Sequence, residues 1–362
     1  MKKSLNFNIQ FSNLMKHSFP NCFAAVYVYL EKIFGALPKK CNNGESWCFG
    51  CACPDNADPQ SVYFVLFDTL CGRSSLYWHF DGTMTNMAAR IGDESSAGNW
   101  SGLCGTDYTA DFLFGFAGYE YSKIIDTAIF KKSIANSIDA DKPVLAERAT
   151  DGVFCVITGY DGDVALCTHY HTNQENNTQE KRTFTLSYDE IKTVYLFGNK
   201  VAPRYTLKDG LERITRVIES SFSENVWDNA IDHTNKVLVT PTDDEYKNTD
   251  ADELRAFRNR VTETFTNQFN CHIFDVAFYH LPKAYEEARQ PALLDLWDEL
   301  SKHQARLHSY AFSAGHLNHI KIANIGLFRI GLAQMFITAI EDIKETHMKM
   351  LEVLKRAIDV LN

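Results

Sequence analysis

The stretch that decides the fold class is Val153-Phe154-Cys155-Val156-Ile157-Thr158-Gly159-Tyr160-Asp161-Gly162-Asp163-Val164-Ala165-Leu166-Cys167. It holds two apolar runs, 153–158 and 164–167, that are rich in β-branched side chains and have the length of strands. The residues between them include an Asp-Gly pair, which favours the tight turn of a β-hairpin. The sequence therefore predicts two antiparallel strands joined by a turn at residues 159–163.

Shorter elements are predicted on either side of this hairpin. Strands are expected at Pro143–Ala146 and Arg182–Leu186, where apolar and β-branched residues cluster. Helices are expected at Asp107–Phe116 and Phe130–Ile138, and Ser187–Glu190 has the composition of a helix start. The first half of the chain is thus predicted to be a mixed α+β unit.

The N-terminal end is predicted to be an arm or edge strand followed by a helix. Within residues 1–21, apolar side chains at positions 7, 9 and 11 alternate with polar ones, which is the period of a strand. Apolar residues spaced three and four apart then predict an amphipathic helix that begins near Cys22. Pro20 and Asn21 are its predicted start signals, and Gly35 its stop signal.

From about residue 207 the strand signals mostly end and helical periodicity takes over. The chain is predicted to comprise an α+β domain at residues 1–205 and a helical bundle domain at residues 206–362. The predicted helices are Leu207–Phe222, Asp252–Phe269, Ala284–Leu300, Gln304–Phe312 and a long final helix at Leu317–Leu361.

An apolar seam along the final helix predicts either antiparallel packing within the bundle or a homo-oligomer contact. Its members are Phe336, Ile340, Ile343, Leu351, Leu354, Ile358 and Leu361.

Composition narrows the classes of function. The chain has 362 residues, a net charge of -10 and a pI of about 5.6, which argues against nucleic acid or an anionic membrane as the main partner. The N-terminal residues lack the features of a signal peptide, and the most apolar stretch, residues 325–340, is too short to span a bilayer. These features predict a cytoplasmic protein, in which ten cysteines are free thiols or metal ligands rather than disulfides.

Cys22 is the residue singled out for chemistry. A helix N-terminus carries partial positive charge and free N–H groups, and both favour the thiolate, the reactive form of cysteine. The alternative is a structural thiol, because cysteine is among the most buried residue types. Position alone favours the structural interpretation.

Several segments, in this order and spacing, resemble the papain-like cysteine peptidase superfamily. The chain is most similar to its bacteriocin-processing peptidase domains and to the butirosin biosynthesis protein H family. The resemblance covers about residues 5–205. The matching segments are Asn21-Cys22-Phe23-Ala24-Ala25, Lys142-Pro143-Val144-Leu145, the strand that ends in Gly159-Tyr160-Asp161, and Leu186-Ser187-Tyr188-Asp189-Glu190.

The resemblance implies a papain-like fold, with an N-terminal helix packed on an antiparallel β-sheet, followed by an all-α helical domain. It also implies a mechanism in which Cys22 attacks an acyl carbon while a histidine takes its proton and a carboxylate or amide orients that histidine. The relatives transfer an acyl group from a carrier protein to an amine, or hydrolyse an amide. An acylated carrier protein or a small amide or amine substrate is therefore the implied partner, and no cofactor is implied.

This sequence departs from the pattern of the resemblance at two positions. Val153 stands where the superfamily histidine is expected, and Thr168 where the orienting aspartate is expected. Two hypotheses follow. Either His169, His171 or His79 serves Cys22 in a thiol acyltransferase or amide hydrolase, or the domain is a catalytically degenerate binding or regulatory module.

Two other groups of residues are potential metal ligands. Cys41, Cys48, Cys51 and Cys53 lie close in sequence, but structural zinc sites more often combine two separated Cys-x-x-Cys pairs. The histidines of the helical half, His303, His308, His316 and His319, lack a Glu-x-x-His partner motif, and polar packing is the favoured interpretation. Reduced loop thiols are favoured for the cysteines, and no metal is predicted.

Overall fold

The computed structural model describes residues 2–9, 11, 18–35, 37–38, 56–70, 109–173, 178–223, 225–236, 281–300, 302–303 and 325–362. The strands are β1 Lys2–Ser4, β2 Leu37–Pro38, β3 Asn56–Ala57, β4 Tyr119–Ile124, β5 Val144–Arg148, β6 Phe154–Asp161, β7 Val164–Asn173, β8 Thr178–Ser187 and β9 Ile191–Lys200. The α-helices are α1 Ser18–Leu30, α2 Pro59–Leu70, α3 Thr109–Ala117, α4 Thr127–Asp139, α5 Leu207–Ser223, α6 Val226–Thr234, α7 at 291–300 and α8 Ile325–Val360.

One antiparallel sheet organises the first half of the described chain. Its strands follow the order β4-β9-β5-β6-β7-β8, and β1 pairs with the second half of β6. The predicted hairpin is confirmed: β6 and β7 pair from Asp161↔Val164 onward, which leaves Gly162 and Asp163 as the turn. Gly162 has a φ of +61°, a left-handed conformation in which glycine avoids steric strain.

Helices cover both faces of this sheet. On one face, α4 buries Phe130, Ile134 and Ile138 against the side chains of β5, β6 and β9. On the other face, α1, α2 and α3 pack in a second apolar cluster that continues into the helices of residues 207–361. The α+β class is therefore confirmed, with the sheet between two helical layers.

The first helix begins earlier than the sequence pattern predicts. It starts at Ser18, so Pro20 lies in its first turn, where a missing N–H costs no intrahelical hydrogen bond. The Ser18 hydroxyl accepts a hydrogen bond from the Phe154 N–H at 3.0 Å, which fixes the helix start to the start of β6. The prediction of a helix start near Cys22 is wrong by four residues.

The second half is helical in its described parts. The prediction Leu207–Phe222 agrees with α5, whereas the single helix predicted at Ala284–Leu300 is two elements, a 3₁₀ helix at Lys283–Arg289 and α7. The break falls at Gln290, which is extended because it precedes a proline. The predictions Asp252–Phe269 and Gln304–Phe312 lie outside the described residues, as does the first part of Leu317–Leu361.

The long helix α8 uses its apolar seam inside the chain. Ile340, Ile343 and Leu354 are fully buried in the same cluster as α5 and α6. Packing within the chain therefore explains this part of the seam, and the homo-oligomer stays a prediction. Among the described helices, none is both long and apolar enough to cross a membrane.

Tyr285 joins the helical half of the chain to the half that contains the sheet. Its ring stacks on Phe116 of α3, with centroids 4.3 Å apart. Its hydroxyl lies 2.6 Å from the Phe116 carbonyl oxygen and 2.7 Å from that of Tyr205, so the hydroxyl hydrogen is shared between two acceptors. This buried contact ties α3 and the segment before α5 to the 3₁₀ helix.

Candidate functional site

Cys22 lies in the interior of α1 and not at its end. As the fifth residue of the helix, it is beyond the four residues whose N–H groups lack an intrahelical partner. Its side chain is fully buried, and its Sγ donates a hydrogen bond to the Phe154 carbonyl oxygen at 3.4 Å. The geometry on which the activated thiolate was predicted is therefore absent at this residue.

The surroundings of Cys22 favour the protonated thiol. Burial raises the pKa of Cys22 well above its usual range, and the neighbouring Cys155 raises it further, while Arg148 opposes them. The same apolar cluster contains the rings of Phe19, Phe154 and Tyr195, and Phe19 meets Phe154 edge to face at 4.9 Å. Cys22 is thus a neutral donor in an aromatic core.

Val153, which stands where the superfamily histidine is expected, lies in the turn between β5 and β6. Val153 precedes β6, and its N–H donates to Asp151 Oδ1 at 3.1 Å. Asp151 in turn forms an ion pair with Arg148, whose Nε lies 3.0 Å from Oδ1. These contacts close the connection between β5 and β6 and provide no proton acceptor for Cys22.

The position of the orienting group is filled by Thr168, opposite Val156 in the β6–β7 ladder. Thr168 is 1% exposed, and its hydroxyl has no hydrogen-bond partner among the described residues. A neutral hydroxyl can form a hydrogen bond but carries no charge to stabilise an imidazolium.

Of the three candidate histidines, His169 is the one whose side chain the structure describes. His169 is buried in β7, where its ring lies 6.4 Å from that of Phe11, and within the described residues no hydrogen bond links it to Cys22. The backbone of His171 is paired with Glu180, but its side chain lies outside the described part of the structure. His79 lies outside the described residues.

The Gly-Tyr-Asp segment has a structural role that can be read from its contacts. A Cβ atom on Gly159 would lie 2.4 Å from the Lys3 carbonyl oxygen, so β1 can pair here only with glycine. The Tyr160 hydroxyl donates to Asp139, and Asp161 forms an ion pair with Lys2 at 3.0 Å. All three residues therefore hold β1 or its surroundings in place.

The Leu-Ser-x-x-Glu segment is likewise a local structural motif. The Ser187 N–H and hydroxyl both donate to Glu190 Oε2, at 2.8 and 2.7 Å. These bonds lower the pKa of Glu190 and stabilise the short 3₁₀ helix Tyr188–Glu190. The predicted helix entry is confirmed, and it leads directly into β9.

A buried polar contact beside Cys22 was not predicted from the sequence. Gln60 of α2 donates through Nε2 to Asn21 Oδ1 at 2.6 Å and lies 3.1 Å from the Asn21 carbonyl oxygen. Both side chains are fully buried, so this contact fixes α2 against the first turns of α1. Gln60 precedes the apolar run of residues 62–67, but nothing in the sequence indicates that its partner is Asn21.

No metal centre appears in the described part of the chain. The residues that it covers contain no group of three or more His, Cys, Asp or Glu side chains able to hold an ion. Cys41, Cys48, Cys51 and Cys53 lie outside the described residues, as do His308, His316 and His319. Zinc binding by the cysteine cluster is therefore neither supported nor contradicted by the described residues.

Comparisons with known proteins add no assignment to this geometry. The chain matches no protein-family profile, no curated protein and no solved structure.

Proposed function

We propose that residues 1–205 form a papain-like domain without a catalytic triad that acts as a binding or regulatory module. The observation that carries the proposal is the fully buried Cys22, whose Sγ donates to the Phe154 carbonyl oxygen. A thiol nucleophile must be ionised and must approach the acyl carbon within about 3.5 Å. A protonated sulfur inside the core meets neither requirement.

The two departures from the superfamily pattern support the same proposal. Val153 cannot accept a proton, and Thr168 cannot supply the negative charge that stabilises a histidine cation. The neighbouring groups that do carry charge, Arg148 and Asp151, are paired with each other. At residues 153 and 168, both within the described part of the chain, the sheet is therefore built without the two groups that the chemistry requires.

The competing proposal is a thiol acyltransferase or amide hydrolase with a Cys22 acyl-enzyme and His169, His171 or His79 as the base. It rests on the resemblance and on the placement of α1 against the start of β6. It requires that Cys22 become exposed and ionised, and this requirement separates the two proposals experimentally.

Alkylation of the native protein by iodoacetamide, followed by mass spectrometry, tests the proposal. Cys155 and Cys167 are matched internal controls, because both are buried free thiols of the same sheet domain. We expect Cys22 to react no faster than these controls at any pH from 6 to 9, and to react fully only when the protein unfolds. Fast labelling of Cys22 with an apparent pKa well below about 8.5 would overturn the proposal in favour of the enzyme.

A further inference from the structure

Residues 2–9 and 11, here called the N-terminal arm, lie along the sheet domain as an extended segment. Three residues of the arm, Lys2 to Ser4, pair antiparallel with residues 159–161 of β6. The Leu5 N–H continues the contact by donating to the Thr158 carbonyl oxygen at 2.8 Å. Main-chain hydrogen bonds therefore set the register of the arm.

Beyond this pairing, alternate side chains of the arm are buried. Phe7 and Ile9 are each 7% exposed, and the Phe7 ring packs on Tyr29 of α1 at 5.3 Å. Lys181 of β8 donates to the Phe7 carbonyl oxygen at 2.6 Å, and Phe11 contacts His169 of β7. The arm thus contacts α1, β6, β7 and β8, and the surface that these elements form beneath it is here called the groove.

These contacts are those by which proteins bind an extended peptide. Main-chain bonds to a strand give affinity, and sites for alternate side chains give specificity. The end of the arm adds charge complementarity, because Lys2 and Lys3 lie 3.0 and 3.3 Å from Asp161 and Asp139. The segment that fits these contacts therefore has basic residues followed by apolar residues at alternate positions, and the buried apolar positions contribute most.

The arm is held mainly by its two buried side chains. The Lys2–Asp161 pair is exposed, with 65% and 47% of the two side chains accessible to solvent, and such pairs contribute little. The β1 ladder is only three residues long. Replacement of the arm by a similar segment therefore requires little beyond burial of two apolar side chains in the places of Phe7 and Ile9.

We propose that this groove is a peptide-binding site, which the arm occupies in cis and an extended segment of a partner protein occupies in its place. The partner segment has one or two basic residues followed by large apolar residues at alternate positions. The inference rests on the proposed binding function and names the class of partner. The tethered arm competes with the partner segment at an effective concentration of the order of millimolar, so the apparent affinity of the partner is low as long as the arm can rebind.

Titration of a labelled peptide into the full chain tests the proposal. The probe is a fluorescent peptide with the sequence of residues 1–11, and the control peptide carries aspartate at positions 7 and 9. We expect the full chain with Phe7→Ala and Ile9→Ala to bind the probe at least about tenfold more tightly than the unaltered chain, because its groove is vacated more often. The control peptide is expected not to bind. A chain with Ile125→Ala and Ile129→Ala, which alters two exposed apolar residues elsewhere, is expected to behave like the unaltered chain.

Equal probe affinity of the double variant and the unaltered chain, with circular dichroism showing both folded, would overturn the proposal. Equal binding of the two peptides would do the same. If the alanine variant does not fold, the milder Phe7→Leu with Ile9→Val shortens the same two buried side chains, and a tighter probe affinity is again required.

A concentration-dependent dimer that disappears in the arm variant would identify the arm of a second copy as the occupant and overturn the assignment to a different partner. These outcomes are independent of the proposed function. Failure of peptide binding leaves the reactivity of Cys22 unchanged, and fast alkylation of Cys22 leaves the peptide affinities unchanged.

Discussion

Acidification is expected to destabilise the helical half through one buried histidine. His347 of α8 is 1% exposed, and its ring lies 5.2 Å from the ring of Trp227 in α6. Its Nδ1 lies 2.9 Å from the Ile343 carbonyl oxygen, one turn earlier in the helix, so the neutral ring donates there. Burial lowers the pKa of His347 from 6.5 to about 4.

The size and sign of the effect follow from proton linkage. Between about pH 6.5 and pH 4 the unfolded chain binds a proton at residue 347 while the folded chain does not. The free energy of unfolding therefore falls as the pH falls through this window and is constant with respect to this group below it. The difference between the two pKa values corresponds to a loss of roughly 3 kcal/mol.

The assay is urea unfolding followed by tryptophan fluorescence at a series of pH values from 7 to 4. The variant His347→Leu removes the titrating group but keeps an apolar side chain, so its stability should depend less steeply on pH by up to about 1.4 kcal/mol per pH unit. Met350→Leu is the matched control, because Met350 is buried on the same helix and does not titrate. Carboxylates that titrate in the same range contribute equally to all three proteins.

Equal pH dependence in His347→Leu and the unaltered chain would refute the reasoning, because the buried ring would then have an ordinary pKa. A steeper dependence in the variant would refute its sign. The comparison uses differences between proteins at each pH, so it is insensitive to errors in the absolute stability.

Two further substitutions test the contacts that hold the arm and the helical half. Gly159→Ala is expected to lower the free energy of unfolding by about 1–3 kcal/mol, because the added methyl group meets the Lys3 carbonyl oxygen. Gly331→Ala is the control in the same urea titration. Its methyl group points into open space within a helix, so the free energy of unfolding should instead rise by up to about 1 kcal/mol. Tyr285→Phe keeps the ring stacked but removes the buried hydroxyl, and differential scanning calorimetry should show a loss of about 1 kcal/mol; an unchanged melting temperature would contradict the shared hydrogen bond.

The sheet could be predicted where an apolar run is bounded by a clear turn signal. The β6–β7 hairpin followed from two apolar runs and an Asp-Gly pair. Strand β9 was missed, because Val194 is buried on one face and Tyr195 and Phe197 on the other, so no alternation of polar and apolar residues marks it. Strand β6 is buried on both faces as well, but the Asp-Gly pair at its end marks a hairpin, and no such pair flanks β9.

The helices show the same limit. In α2, every residue except Ser61 is buried, and a helix that is buried on all sides has no exposed polar face that would mark a helical period. The start of α1 was misplaced because proline is tolerated at several positions of a first turn, so Pro20 limits the start of the helix to within a few residues. That small error decided whether Cys22 was placed at the end of the helix or in its interior.

The role of Cys22 could not be predicted, because it depends on contacts between distant segments. Phe154, which accepts its hydrogen bond, is 132 residues away in the sequence. The burial of His347 depends in the same way on Trp227. A sequence pattern predicts the helix or strand on which a residue lies. The pKa of that residue depends on the side chains that other helices and strands pack around it.

The Gly-Tyr-Asp segment supports the predicted order of helix and strands, but it does not bear on whether Cys22 is catalytic. Gly159 allows β1 to approach, Tyr160 is bonded to the end of α4, and Asp161 pairs with Lys2. Each of these contacts involves the N-terminal arm or the residues beside it, and none requires a reactive Cys22. The segment can therefore be present whether or not the domain is an enzyme, so it supports the order of helix and strands. Only the groups that reach the Cys22 sulfur bear on catalysis, and among the described residues its hydrogen-bond acceptor is a backbone carbonyl.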